Sequence, residues 1–101
     1  MNHITLSEAK RTISPGWHRL LNEAYRKKPL RTKIINIKEK YGALRIDTLN
    51  ETPRYSDYLW RLENRSTRVC DICGAIGKVR KIEGWFVARC DVHSTKLVWR
   101  D

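Results

Sequence analysis

Residues 69–93 read VCDICGAIGKVRKIEGWFVARCDVH, two short clusters, CDIC and CDVH, around alternating apolar and basic residues. The spacing is C-x2-C-x16-C-x2-H, with Cys70, Cys73, Cys90 and His93 as the four candidate ligands. Two such knuckles facing one another supply the sulfur and nitrogen donors of a tetrahedral zinc site. Gly74 follows Cys73, where the chain turns after the second ligand and a glycine suits the bend. Between the knuckles, KVRKI, EG and WFVAR read as strand, turn and strand, so residues 69–94 form a zinc-ribbon hairpin. The chain itself fills all four positions. That is the pattern of a structural zinc, one per chain, since a catalytic zinc keeps a place open for water. A histidine ligand also sets an iron–sulfur cluster behind zinc.

The segments upstream alternate between helical and strand periods. TLSE at 5–8 is a capping box, with Thr5 as cap and Glu8 reaching back, and it opens a short first helix. SPGW at 14–17 starts another, with Ser14 as cap and Pro15 at the first helical position. Trp17, Leu20, Leu21 and Ala24 recur on one face up to about Lys28, and Pro29 stops the helix. Over residues 32–48 the period drops to two. Ile35 and Ile37 alternate with Asn36 and Lys38, Leu44 and Ile46 with Arg45 and Asp47, and Gly42 supplies the turn of a β-hairpin. Thr52 and Pro53 then open a helix whose core face carries Tyr55, Tyr58, Leu59, Leu62 and Val69. Arg61, Arg65 and Arg68 form an adjacent stripe, and Trp60 points away from the core. The tail STKLVWRD adds a last strand or packs Leu97 and Trp99 on the body. The expected fold is α+β: helix, β-hairpin, helix, then zinc-ribbon hairpin, in a single domain spanning 1–101.

The formal net charge is +10, from 21 Lys and Arg against 11 Asp and Glu. Three thiolates and a dication lower that by one unit only. Such a surplus favours polyanions: nucleic acid, anionic lipid or an acidic protein face. The basic residues run through both halves, which points to a folded basic face rather than a charged arm. They gather at 26–33 (RKKPLRTK), on the helix stripe, and on the hairpin, where Lys78 and Arg80 share a strand face, Lys81 lies on the other and Arg89 precedes the second knuckle. Arg61, Arg65, Arg68, Lys78 and Arg80 can reach phosphates, and Trp60 can stack on a base or anchor a partner. Trp17 and Trp85 read as core anchors.

Other chemistry is thinly represented. Glu23, Asp57 and Glu63 read as isolated and solvated. His3 and His18 have no carboxylate or nucleophile motif beside them, so His18 reads as a surface or half-buried histidine rather than a base. Phosphate-binding, nucleophile-elbow and deaminase motifs are missing, and the His-based catalytic step of an HNH-type nuclease has no counterpart. The N-terminus has no secretory h-region and no stretch of about 18 apolar residues occurs. With an odd number of cysteines, the expected compartment is the reducing cytoplasm, with no membrane contact and the thiols available to a metal.

SPGWHRLL (14–21), IKEKYGALRI (37–46), CDICG (70–74) and GWFVARCDVH (84–93), in that order, resemble a family of small, mostly uncharacterised proteins of bacteria, phages and prophages. The likeness runs from Ser14 to His93, and IKEKYG-x-LR is its more specific element. Family members often carry a second glycine where this chain has Ala43. The resemblance implies an α+β body with a zinc ribbon and a cytoplasmic, phage-borne protein, within the host cytoplasm. It implies no particular activity. The expected function is binding rather than catalysis. The first reading is a zinc-stabilised accessory factor that holds nucleic acid on its Lys/Arg face. The second docks on a host nucleic-acid machine, such as a CRISPR or restriction complex or RNA polymerase, and modulates it. An enzyme comes third. The oligomeric state is open.

Overall fold

The computed structural model describes residues 3–95, in the order α1 (Leu6–Thr12), a 3-10 turn (Pro15–Trp17), α2 (His18–Lys27), β1 (Lys33–Lys40), β2 (Ala43–Leu49), α3 (Pro53–Ser66), β3 (Lys78–Ile82) and β4 (Trp85–Arg89). This is the expected α+β order. The strands make two separate antiparallel hairpins, β1–β2 and β3–β4. The tail residues Leu97 and Trp99 lie outside the described residues.

Local chemistry sets most element ends. The Glu8 amide donates to the Thr5 hydroxyl and the Thr5 amide to the Glu8 carboxylate, the reciprocal pair of a capping box. Thr52 caps α3 through the Tyr55 amide, with Pro53 in the first turn. Ser14 does not cap α2, because a 3-10 turn intervenes. Its amide and hydroxyl instead donate to Glu39 on β1, which ties the turn to the first sheet. Both hairpins close on two residues with positive φ, Tyr41–Gly42 and Glu83–Gly84, the condition of the turn that matches strand twist.

The core forms where these elements converge. Leu20, Leu21 and Ala24 of α2 meet Tyr55, Leu59 and Leu62 of α3, Leu44 of β2, Ala9 and Ile13, and Ala88 of β4. Trp17 lies at its centre with no exposed surface, and its indole N–H donates to the Val69 carbonyl at 2.8 Å. Buried hydroxyls also find partners: Tyr55 donates to the Ala24 carbonyl (2.7 Å) and Tyr25 to that of Ile4 (2.6 Å). The Ser66 hydroxyl accepts from the Leu44 amide (2.8 Å), fixing the end of α3 against β2.

Beyond the Ser14 cap, further expectations fail. α3 ends at Ser66, so Arg68 and Val69 lie past the helix rather than on its basic stripe and core face, and Val69 instead bridges to Ile76. The period-two phase of β1 is broken by a bulge at Ile35: Ile34 pairs with Thr48 and Asn36 with Asp47. The extra residue moves the fully buried position to Ile34 while Ile37 still packs on the core. Trp85 is not a core anchor. It sits beside the β3–β4 turn, where a Cβ added at Gly84 would meet nothing within 4 Å, and is 66% exposed.

The two tryptophans of the helical body should therefore behave oppositely. Trp17→Ala is expected to cost about 3–5 kcal/mol in urea unfolding. Trp60, 67% exposed on α3, is expected to change stability by about 0.5 kcal/mol or less when cut to Ala. A larger loss at Trp60 than at Trp17 would contradict this core.

Candidate metal centre

The two knuckles are built mainly by backbone. In the first, the Gly74 amide donates to the Cys70 carbonyl (2.9 Å) and the Cys70 amide to that of Ala75 (2.8 Å). Gly74 has φ +81, a conformation that side-chain-bearing residues rarely take. In the second, the His93 amide donates to the Cys90 carbonyl (3.2 Å). Bonds from the Asp71 amide to the Ala88 carbonyl and from the Gly77 amide to the Arg68 carbonyl, both 2.9 Å, lock the first knuckle to β4 and to the chain leaving α3.

The four ligand atoms consequently lie within 4.8 Å of one another. Cys73 Sγ is 3.7 Å from Cys90 Sγ, and His93 Nδ1 is 3.7 Å from Cys70 Sγ and 3.3 Å from Cys90 Sγ. A tetrahedron with metal–sulfur bonds near 2.3 Å has edges of roughly 3.8 Å, so the set fits around one ion. Cys70 and Cys90 are buried, His93 is half-buried and Cys73 is exposed. Burial opposes ionisation of Cys70, but the amides of Cys73, Cys90 and Ile72 and the His93 ring face its sulfur and bring its pKa down to about 6. The Ala75 amide draws Cys73 the same way, yet partial burial and the neighbouring sulfurs of Cys90 and Cys70 outweigh it and push that thiol up. Crowded thiols of this kind can hold a metal ion, whose charge lets them ionise together.

Each knuckle carries an aspartate, and each aspartate grips an arginine of the hairpin. Asp71 accepts from Arg89 Nε at 2.6 Å, with both side chains 4% exposed. Burial raises the Asp71 pKa and Arg89 pulls against it. Asp91, nearly free of the body, accepts from Arg80 Nη2 at 2.5 Å, while Arg80 Nε donates to the Arg89 carbonyl. Arg89 is therefore a buried structural cation rather than a phosphate ligand, and Arg80 is half-buried and engaged.

The expected binding residues divide between surfaces. Arg61 is exposed and pairs with Asp57 one turn away. Arg65 pairs with Glu23 of α2, which also accepts from Tyr58, so Glu23 is not the isolated carboxylate expected. Burial raises the Glu23 pKa, but Tyr58 and Arg65 outweigh it and hold it below the usual carboxylate value. That pairing is present above the ordinary glutamate range and fades as pH falls through the lowered pKa. Arg68 and Lys78 are exposed, make no ion pair among the described residues, and are drawn near one another by the Gly77–Arg68 backbone bond. Trp60 opens instead toward β2, beside Asp47, Glu51 and Glu63. Asp57 is exposed but paired with Arg61 rather than isolated, Glu63 is half-buried, and His18 is a half-buried structural histidine whose Nε2 lies 2.8 Å from the Ile13 carbonyl.

Between α2 and α3 lies a groove that the sequence does not announce, about 470 Å³ in volume and lined by Arg19, Asn22, Glu23, Arg26 and Arg65. Arg19 Nη2 also reaches the Gly74 carbonyl (3.4 Å), so the groove borders the first knuckle. The i, i+7 spacing of Arg19 and Arg26 was the available signal. No helix among the described residues is long and apolar enough to cross a membrane. No protein-family model matches the chain, no curated protein matches its sequence, and no solved structure matches its fold.

The two aspartate–arginine pairs look alike in sequence but differ in burial, so their removal should differ. Arg89→Met leaves a buried carboxylate without its partner and is expected to cost about 3–5 kcal/mol. Arg80→Met frees a carboxylate that water already reaches and is expected to cost about 1 kcal/mol or less. Guanidinium unfolding of both variants checks this, and equal losses would contradict it.

Proposed function

We propose that the protein is a zinc-stabilised nucleic-acid-binding module. The cluster holds a structural zinc ion, and the α2–α3 groove takes the sugar–phosphate backbone. Three thiolates and an imidazole suit zinc, and four protein ligands leave no place reserved for a reacting water. Zinc binding in small modules is worth roughly 10–16 kcal/mol, as large as the stability of a whole domain. The ion would thus act by holding Cys70–Gly74 beside α2, and with it the position of Arg19.

The observation that carries the binding reading is the groove's lining. Three arginines stand around one carboxylate, Glu23, and Tyr58 and Arg65 already engage that carboxylate. Arg19 and Arg26 are two helical turns apart, about 10 Å along the axis, so they meet different phosphates. Arg68 and Lys78 extend the positive surface toward the ribbon. The net charge of +10 supplies long-range attraction for any polyanion. Phosphate contacts position without reading sequence, which suits a general accessory role.

Fluorescence anisotropy with labelled DNA and RNA at several salt concentrations tests this. With about four phosphates engaged, log K is expected to fall against log salt with a slope of about −2.8 for single strands or −3.6 for duplex. Arg26→Glu should weaken all sequences alike and flatten the slope, whereas Arg65 is better left intact because it holds Glu23. Absence of binding at low salt would overturn the proposal and leave protein docking as the reading to pursue.

A further inference from the structure

We propose that the adjoining parts of the two hairpins form a stacking platform for the bases of single-stranded nucleic acid. This rests on the nucleic-acid reading above and names the strand type. Tyr41 occupies the first position of the β1–β2 turn with φ +51. That position favours Asn, Asp or Gly, and a bulky residue there is strained. Burial does not compensate, since Tyr41 is 74% exposed. An exposed aromatic held at a strained position points to a role outside the fold.

The second ring is Phe86 of β4, 48% exposed, which meets Tyr41 edge to face at 6.3 Å. Gly42 lets the turn settle on the second hairpin, where an added Cβ would stand 3.1 Å from both methyls of Val79. Each ring has its own cation: Lys40 Nζ is 5.7 Å from the Tyr41 centroid and Lys81 Nζ is 5.8 Å from that of Phe86. A groove of about 370 Å³ continues from Tyr41, lined by Lys40, Ala43, Arg45 and one carboxylate, Glu63. Exposed rings alone would suit many partners. Rings each flanked by a lysine suit a ligand that alternates flat faces with negative charge. Unpaired bases offer their faces to such rings, while in a duplex those faces are stacked on neighbouring pairs.

The test compares a labelled oligothymidylate with an abasic strand of the same length, at one low salt concentration. Wild type is expected to bind the base-bearing strand about tenfold or more tightly than the abasic one. Tyr41→Asn relieves the turn, so its melting temperature should hold or rise, yet its preference for bases should shrink toward one. A merely structural tyrosine would not separate those readouts. Phe86→Ser should shrink the preference as well. Arg26→Glu, in the separate groove, should weaken both strands and keep their ratio. Equal affinity of wild type for the two strands would overturn the platform and leave the phosphate reading standing. No binding of either strand would overturn both, and would make the aromatic pair a candidate protein contact.

Discussion

The Gly16 amide donates to the Asp71 carbonyl at 2.8 Å, and one residue later the Trp17 indole donates to the Val69 carbonyl at the same distance. This joint couples the helical body to the ribbon. It leaves no room for a side chain: a Cβ on Gly16 would stand 2.0 Å from the Cys70 carbonyl oxygen. Cys70 is thus a metal-ligand candidate on one side and a packing surface for the α2 start on the other. The chain at the knuckle and the tryptophan at the centre of the core are therefore joined by hydrogen bonds.

The ribbon's own order depends on a second coupling. Asp71 and Asp91 each follow a cysteine ligand and each hold a hairpin arginine, so the knuckles orient the strands between them. The charge of +10 is accordingly unequal in character. Arg89 is internal, Arg80 is engaged, and Arg65 is committed to Glu23, while Arg19, Arg26, Arg68 and Lys78 border the solvent. The basic residues that hold the fold and those that border the solvent alternate along the same segments.

Features governed by near neighbours were legible in the sequence. The Thr5–Glu8 and Thr52–Tyr55 caps, the two glycine turns and the paired knuckle spacing each depend on contacts within a few residues, or on one strict pattern. Errors arose where a distant partner decides. Nothing local marks Ile35 as a bulge, because Ile34 beside it is equally apolar and either could take the core position. Trp85 reads as a core residue by size, yet it stands 66% exposed beside the open β3–β4 turn. Glu23 and Arg65 are 42 residues apart in sequence, and Asp71 and Arg89 are 18 apart, so neither pair follows from periodicity. The Arg19–Arg26 spacing was visible, but its meaning required the neighbouring helix.

The central claim is that the four-ligand cluster holds the entire body and is not an appendage to it. Amide hydrogen exchange on metal-loaded and chelated protein tests this most directly. The expected result is that chelation speeds exchange in the 70–93 segment and, together with it, at Gly16, Trp17 and the core amides of α2 and α3. Faster exchange confined to residues 70–93, with the Gly16 and α2 amides still protected, would contradict it.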